Sequence, residues 1–360
     1  MARIIIAGGG TAGHIEPGLA VARLWRDKNP ADHVAFLGTK SGLENTLVPA
    51  SGFELLLIPK VVAPRKISPA ALRAPFTFIS ALVQARNHIR GSQVVIGFGG
   101  YVSAPAYCAA KLSGIPIVIH ESNAKAGVAN RLGALLGASV AISRNVESGK
   151  FSDALITGLP LRSEIIEAFN SAQKDWTKAR HQAKIDLGCD PSKKLILIMG
   201  GSQGSITFNK VVADSLEYLL HQGYSVIHSV GRGNNLPDKR DGYFPTPYVT
   251  SMSNAYLAAD LIIARSGAVT CSEFRTLGRY ALFVPLPIGN GEQRLNALDL
   301  VEAGRAQLVQ QSDFDAHYVQ ANIKALLEQS EKTNVEGDST ELLAAEKIVN
   351  LIEYVSLGNK

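Results

Sequence analysis

Three glycines, Gly8, Gly10 and Gly13, are spaced as GxGxxG directly after the apolar run Ile4 to Ala7. Glycines there let backbone N–H groups approach a phosphate, and the helix that follows adds the positive end of its dipole. A second loop of this kind, Gly200-Gly201-Ser202-Gln203-Gly204, follows Leu195 to Met199. One such loop is a common strand-to-helix turn, whereas two in equivalent positions favour a ligand between them. A dinucleotide site would also want Asp or Glu at the end of the second strand to hold a ribose, but HVAFLG ends in Gly38-Thr39-Lys40, which argues against NAD.

His14 follows the first loop, in the first turn of the expected helix, where the dipole favours a neutral imidazole. It can act as a general base, or its ring can hydrogen-bond the backbone and fix the turn. His120-Glu121-Ser122-Asn123 ends the strand IPIVIH, at the end of an open α/β sheet where ligands bind, and Glu121 is a second candidate for the proton. Asp260 to Ala264 ends in Arg265-Ser266-Gly267, and the following helix carries Thr270 and Glu273. A carboxylate one turn into a helix can accept both ribose hydroxyls while the helix start faces a diphosphate, though a cap followed by a surface Glu fits too. Asn290, Glu292, Gln293 and Asn296 suit sugar hydroxyls. The DxD at Asp313-Phe314-Asp315 precedes a helical stretch and reads as an N-cap with an acidic first turn; no essential protein-bound metal and no cofactor are expected.

Pro69 to Arg90 has a wide apolar face, with Leu72, Phe76, Ile79 and Val83 in one stripe and Ala71, Pro75, Phe78 and Leu82 beside it. Arg65, Lys66 and Arg73 lie at its start, a composition suited to anionic lipid. A helix packed on its sheet would explain the first stripe and leave Phe78 and the basic cluster open.

These groups must be positioned by a repeating pattern of strand-length apolar runs and longer amphipathic stretches: RIIIA, HVAFLG, FELLLIP, QVVIGF, IPIVIH and ASVAIS, then LILIMG, YSVIHSV, PYVTS, DLIIAR, ALFVPL and AQLVQ. That alternation predicts an α/β protein with buried parallel strands in two Rossmann-like domains facing across a cleft. The expected domains are 1–163, joined by a closing helix at 341–356, and 164–340. The length of 360 residues fits two domains, and 46% apolar against 19% charged residues excludes a disordered or fibrous chain.

The net charge of +5 is unevenly placed: residues 1–160 hold 16 Lys+Arg against 8 Asp+Glu, and the remainder 20 against 23. The basic half could meet nucleic acid, membrane or phosphorylated ligand, but no run of five basic residues supports nucleic acid. Cys108, Cys189 and Cys271 form no CxxC pair and indicate neither a disulfide framework nor a zinc site. The N-terminal apolar run is too short for a signal peptide, and the uncharged stretch 91–110 contains Gly97, Gly99, Gly100 and Pro105, so a cytoplasmic chain without a membrane span is expected.

Taken in order, GGGTAGHIEP (8–17), GFGGYVSAP (97–105), HESN (120–123) with Gly127 and Asn130-Arg131, TGLPLR (157–162), GGSQGS (200–205), RSGAVTCSE (265–273) and GEQRLNA (291–297) closely resemble the MurG family over nearly the whole chain. The resemblance implies a GT-B fold and an inverting transferase moving GlcNAc from UDP-GlcNAc to the MurNAc C4 hydroxyl of lipid I. The product would be lipid II, for peptidoglycan, made at the cytoplasmic face of the membrane by a peripheral enzyme. Carried over by motif, Glu273 would hold the ribose, Ser202 the diphosphate, and the backbone of Val249 the uracil, with Ala268, Val269 and Thr270 in the same donor site and Gln293 on the GlcNAc hydroxyls. Thr11, Ala12, Gly13, Asn123 and Arg162 would complete that site from the first domain, and His14 would be the candidate base. Arg65, Lys66, Arg73, Phe76 and Phe78 would meet the anionic membrane surface. Ala12, Glu16, Ser122 and Glu292 depart from the pattern of better-known members, and bear on sugar and acceptor contacts. Two rivals share the nucleotide: a UDP-GlcNAc epimerase of similar fold, which needs no acceptor, and a non-catalytic scaffold.

Overall fold

Apolar residues fill both faces of the central strands, so these are covered by helices on two sides, the condition for a parallel α/β sheet. A computed structural model describes residues 2–61, 69–146, 151–287, 291–333 and 336–358, with backbone alone at 69–72. They form two compact units, 1–162 with 340–360, and 163–339.

The first unit runs β1 (Arg3–Gly8), α1 (Ala12–Lys28), β2 (His33–Gly38), α2 (Glu44–Ala50), β3 (Glu54–Leu57), α3 (Pro69–His88), β4 (Val94–Gly99), α4 (Ser103–Leu112), β5 (Ile117–Glu121), α5 (Val128–Leu135), β6 (Ser139–Ile142) and β7 (Leu155–Ile156). Its parallel sheet has the order β3-β2-β1-β4-β5-β6-β7. Side-chain alternation along β1 builds two cores: Ile4 and Ile6 join Leu19, Ala22 and Trp25 of α1, while Ile5 and Ala7 join Ala106 and Ala110 of α4.

The second unit runs α6 (Ser163–Lys174), α7 (Trp176–Asp186), β8 (Leu195–Met199), α8 (Ile206–His221), β9 (Ser225–Ser229), β10 (Tyr243–Thr246), α9 (Met252–Ala258), β11 (Leu261–Ala264), α10 (Ala268–Thr276), β12 (Ala281–Phe283), α11 (Glu292–Glu302), β13 (Ala306–Leu308) and α12 (Ala316–Lys332). Its parallel sheet is ordered β10-β9-β8-β11-β12-β13. The chain then returns to the first unit as α13 (Ala344–Ser356), whose Ile348, Val349, Ile352 and Val355 enter the core that α1 covers.

In each sheet the strand order reverses beside its first strand, between β1 and β4 and between β8 and β11. Such a switch point opens a crevice at the carboxyl ends of the two strands, and all four glycine-bearing loops leave the sheets there. The register shifts between Ala7 and Gly8, which pair with Gly97 and Gly99, so the ladder loosens where the first loop departs.

One sequence expectation changes, and one pair of alternatives is narrowed. PYVTS is not a strand: the edge strand is Tyr243–Thr246, and 247–251 follows it as bends. Tyr243 is the anchoring side chain, buried with its hydroxyl 2.9 Å from Nδ1 of His228. Of the two readings of α3, the one that packs its first stripe on the sheet does not fit: Phe76, Ile79 and Val83 face outward, and Ala81 and Ala85, with Ile89 just after the helix, make the packing.

Candidate active site

In the first unit the glycine loop is held from beneath by Glu44, the first residue of α2. Its Oε2 accepts from the Gly10 N–H at 2.9 Å, and its Oε1 from the Thr39 N–H and hydroxyl at 2.9 and 3.0 Å. Sequence reasoning sought an acid at the end of β2 and missed this one six residues on. The signal was there, since Glu44 is the sole carboxylate between β2 and Glu54. Above the loop, Tyr101 lies so close to Gly10 that a Cβ there would stand 2.8 Å from its ring, and Gly10 has φ +91°. Lys60 in turn lies 4.6 Å from the Tyr101 ring centroid.

Thr11 is the N-cap residue of α1, with Ala12, Gly13 and His14 in its first turn. Nδ1 of His14 is 3.2 Å from the Gly9 carbonyl oxygen and 3.3 Å from the Thr11 hydroxyl. A carbonyl oxygen only accepts, so Nδ1 carries the proton and Nε2 the lone pair. The ring edge bearing Nε2 lies against Gly99, where a Cβ would be 3.2 Å away. Burial lowers the His14 pKa below the ordinary histidine value, outweighing the Gly9 hydrogen bond and the charges of Glu121 and Glu44, which raise it. The backbone bond fixes the turn, as one of the two sequence readings of His14 has it, and burial keeps the ring neutral.

His14 lines a cavity of about 240 Å³ together with Tyr101, Glu121, Asn123 and Asn130. Glu121 does not act there as a free carboxylate. Its Oε1 accepts from the Asn123 N–H and side-chain amide at 2.9 and 3.0 Å, and its Oε2 from the Gly127 N–H and the Asn130 amide, both at 2.9 Å. Four donors occupy its lone pairs, and it shapes the loop between β5 and α5. His120 is fully buried; its Nε2 meets the Gly158 carbonyl at 2.9 Å, and burial brings its pKa to about 4. Arg162 is half-buried at the end of the unit.

In the second unit the loop after β8 depends on glycine. Gly204 has φ +75°, and a Cβ there would run into the Val230 carbonyl oxygen. Ser202 is half-buried in this loop, and Ser205 caps α8 by accepting from the Phe208 N–H. Arg265, at the end of β11, is the residue whose role sequence reasoning missed. Its guanidinium is buried against the Phe208 ring and donates to the Ser205 hydroxyl at 3.0 Å, the Val284 and Pro285 carbonyls, and Gln311. All these partners are neutral, so its charge is not cancelled; burial lowers its pKa to about 10, which leaves it cationic at neutral pH.

Gly267 is the N-cap residue of α10, so Ala268, Val269 and Thr270 form the first turn of that helix. Glu273 is no surface residue: it is 1% exposed, and its Oε2 accepts from the Tyr256 hydroxyl at 2.9 Å. Val249 is buried in the bends after β10. Gln293 turns its Oε1 to the Leu286 N–H at 3.0 Å. Asn296 is fully buried with its amide towards the Ser266 carbonyl, and Asn290 lies outside the described residues. In the DxD, Asp315 caps α12 by accepting from the Tyr318 N–H at 2.7 Å.

The glycosyltransferase family 28 N-terminal domain matches residues 4–142 and its C-terminal domain residues 195–352. The UDP-N-acetylglucosamine--N-acetylmuramyl-(pentapeptide) pyrophosphoryl-undecaprenol N-acetylglucosamine transferase of Corynebacterium glutamicum is 44% identical, covering 95% of this chain and 96% of its own. The transferase of the same name from Corynebacterium diphtheriae is 42% identical over 97% and 96%. The crystal structure of Acinetobacter baumannii MurG superposes with a TM-score of 0.70 at 26% identity, covering 98% of this chain and 99% of that one. A UDP-GlcNAc 2-epimerase from Neisseria meningitidis bound to UDP-GlcNAc has a TM-score of 0.66 at 12% identity, covering 98% and 100%, which is a likeness of fold.

Proposed function

The chain belongs to the MurG family within glycosyltransferase family 28, and from that membership we infer that it moves GlcNAc from UDP-GlcNAc to the MurNAc C4 hydroxyl of lipid I, giving lipid II for peptidoglycan. The observation that carries this is that 44% identity to a transferase of that specificity spans both units, the one bearing His14 and the one bearing the second glycine loop. The epimerase reading rests on fold likeness at 12% identity and is not favoured.

Inversion by single displacement needs a base for the acceptor hydroxyl and stabilisation of the departing UDP. We assign the first to His14: Nδ1 is tied to Gly9, and Nε2 takes the proton from the hydroxyl as the glycosidic bond to UDP breaks. For the second, the starts of α8 and α10 offer N–H groups and dipole ends to the diphosphate, with Ser202 in the loop before α8 and Ala268, Val269 and Thr270 on the first turn of α10. Arg265 adds a full charge through Ser205, with no carboxylate among its hydrogen-bond partners in the described residues. Glu273, held by Tyr256, is assigned the ribose hydroxyls, and the backbone of Val249 the uracil. Gln293, with its oxygen turned to Leu286, offers its amide N–H groups to the sugar. Thr11, Ala12, Gly13, Asn123 and Arg162 are the contributions of the first unit. The site as assigned uses no metal.

No helix among the described residues is long and apolar enough to cross a membrane. We assign a peripheral position at the cytoplasmic membrane face, supported by α3, where Phe76, Ile79 and Val83 are 75%, 56% and 54% exposed. Leu112, at the end of the adjacent α4, is 62% exposed. Arg73 is exposed at the start of this face; Phe78 is half-buried, and Arg65 and Lys66 lie outside the described residues. The test of the function is acceptor-dependent transfer of labelled GlcNAc to a short-chain lipid I analogue, with and without EDTA.

A further inference from the structure

The second unit holds a cavity of about 300 Å³ that the transfer chemistry does not use. One wall is a face of α7, where Trp176, Arg180 and Lys184 stand four residues apart; the other is the stretch 191–194 with Asp260. Four cations, Arg180, Lys184, Lys193 and Lys194, line it against one carboxylate. Arg180 pairs with Oδ1 of Asp260, Lys184 Nζ lies 3.1 Å from Oδ2, and Lys194 Nζ 3.6 Å from Oδ1. Lys194 also reaches Glu331, and Lys193 Nζ lies 3.7 Å from the exposed Asp241.

Asp260 answers one of the three charges that converge on it, and Glu331 and Asp241, which lie outside the cavity lining, pair with Lys194 and Lys193, so the wall's four cations keep one net positive charge. This is not the by-product of a basic domain, because residues 161–360 carry 20 Lys+Arg against 23 Asp+Glu. A fifth cation lies behind Trp176: the buried Arg279 guanidinium is 4.6 Å from the indole centroid, and its Nε has no hydrogen-bond partner among the described residues. Lys184 donates to the Lys193 carbonyl at 2.7 Å, which fixes the stretch carrying Lys193 and Lys194.

The cavity lies at the other end of the sheet from the glycine loop. The Leu195 N–H, first in β8, donates to Oδ2 of Asp260 at 2.8 Å, while the loop follows Met199, the last residue of β8. Five strand residues separate the two by roughly 16 Å.

We propose that this cavity binds a small anion carrying two linked phosphate groups, at a site separate from that of the donor nucleotide. Converging cations on a fixed frame suit a multivalent anion, and the volume is at the small end of the range for ligand sites. An occupant would neutralise the wall and stabilise the second unit in proportion to its occupancy.

The test is calorimetric titration of inorganic pyrophosphate into the full-length protein saturated with UDP-GlcNAc, at constant ionic strength, so that the donor's own diphosphate subsite is filled. One further saturable event is expected, weakened at least tenfold in the Lys193→Gln/Lys194→Gln double variant with UDP-GlcNAc affinity unchanged. Lys324→Gln/Lys347→Gln, at exposed lysines of α12 and α13, removes the same two charges and should bind as the parent does. Absence of a second event, or equal weakening by Lys324→Gln/Lys347→Gln, overturns the proposal. A parallel arm with phosphatidylglycerol vesicles separates lipid phosphate from free diphosphate: a double variant that loses vesicle binding and keeps pyrophosphate binding also overturns it.

Discussion

Nδ1 of His14 lies 3.2 Å from the carbonyl oxygen of Gly9, in the loop that the same helix start is built to follow. The contact joins the shape of the loop to the protonation state of the ring. Replacing His14 with Asn should therefore lower kcat by roughly 100- to 10,000-fold, the range of a general base, while UDP-GlcNAc affinity stays near that of the parent. Because burial holds the pKa below the ordinary histidine value, kcat/KM should be level near pH 8 and fall on the acid side with a midpoint below pH 6.5. An acid limb above pH 6.5 that persists in His14→Asn would assign the proton elsewhere.

Glu121 should behave as a structural residue. In Glu121→Gln, the new NH2 must face two N–H donors at whichever oxygen it replaces, at a cost of about 1–3 kcal/mol. Thermal unfolding should shift down by several degrees, and the acid limb of the rate profile should not move. A profile that loses its acid limb without loss of stability would make Glu121 the base.

Much of this was legible before the fold was known. The strand runs, the two glycine loops and the Asp315 cap follow from local chemistry, and local chemistry forms them. Glu44 and Arg265 escaped because their roles depend on which strands are neighbours: Glu44 reaches back to a loop 34 residues earlier, and Arg265 reaches Ser205 across 60 residues. PYVTS misled because its β-forming side chains lie just beyond the stretch that pairs with β9, whose last partner is Thr246. The outer face of α3 was ambiguous for a similar reason, since small residues, Ala81 and Ala85, make its close packing and leave the larger side chains outside.

Stability should fall between pH 6.5 and 4 in both units. His120 and His228, each buried, have pKa values of about 4 because burial disfavours the charged ring. The unfolded chain binds those protons near pH 6.5 and the folded chain does not, so acid favours unfolding through this window. Each histidine should cost on the order of 2 kcal/mol at pH 5 relative to pH 7.5. Urea denaturation at the two pH values measures it, and a midpoint at pH 5 equal to or above that at pH 7.5 would contradict it.

Gly204→Ala should be destabilising by about 1–3 kcal/mol and should abolish donor binding, because φ +75° and the nearby Val230 carbonyl leave no room for a methyl group. Calorimetry with UDP and thermal unfolding read the two effects; UDP affinity equal to that of the parent would remove this loop from the donor site.

For the membrane face, Phe76→Ser with Ile79→Ser should weaken binding to anionic liposomes, while turnover of a short-chain acceptor is kept. These two are chosen over Phe78, whose half-buried ring would perturb packing. Undiminished liposome binding would take this face out of the account.

The central claim is tested most directly by following radiolabelled GlcNAc from UDP-GlcNAc in the presence and absence of a lipid I analogue. The account predicts labelled lipid II analogue only when acceptor is present, undiminished by EDTA. UDP-GlcNAc consumed without acceptor, or no turnover despite donor binding, would contradict it.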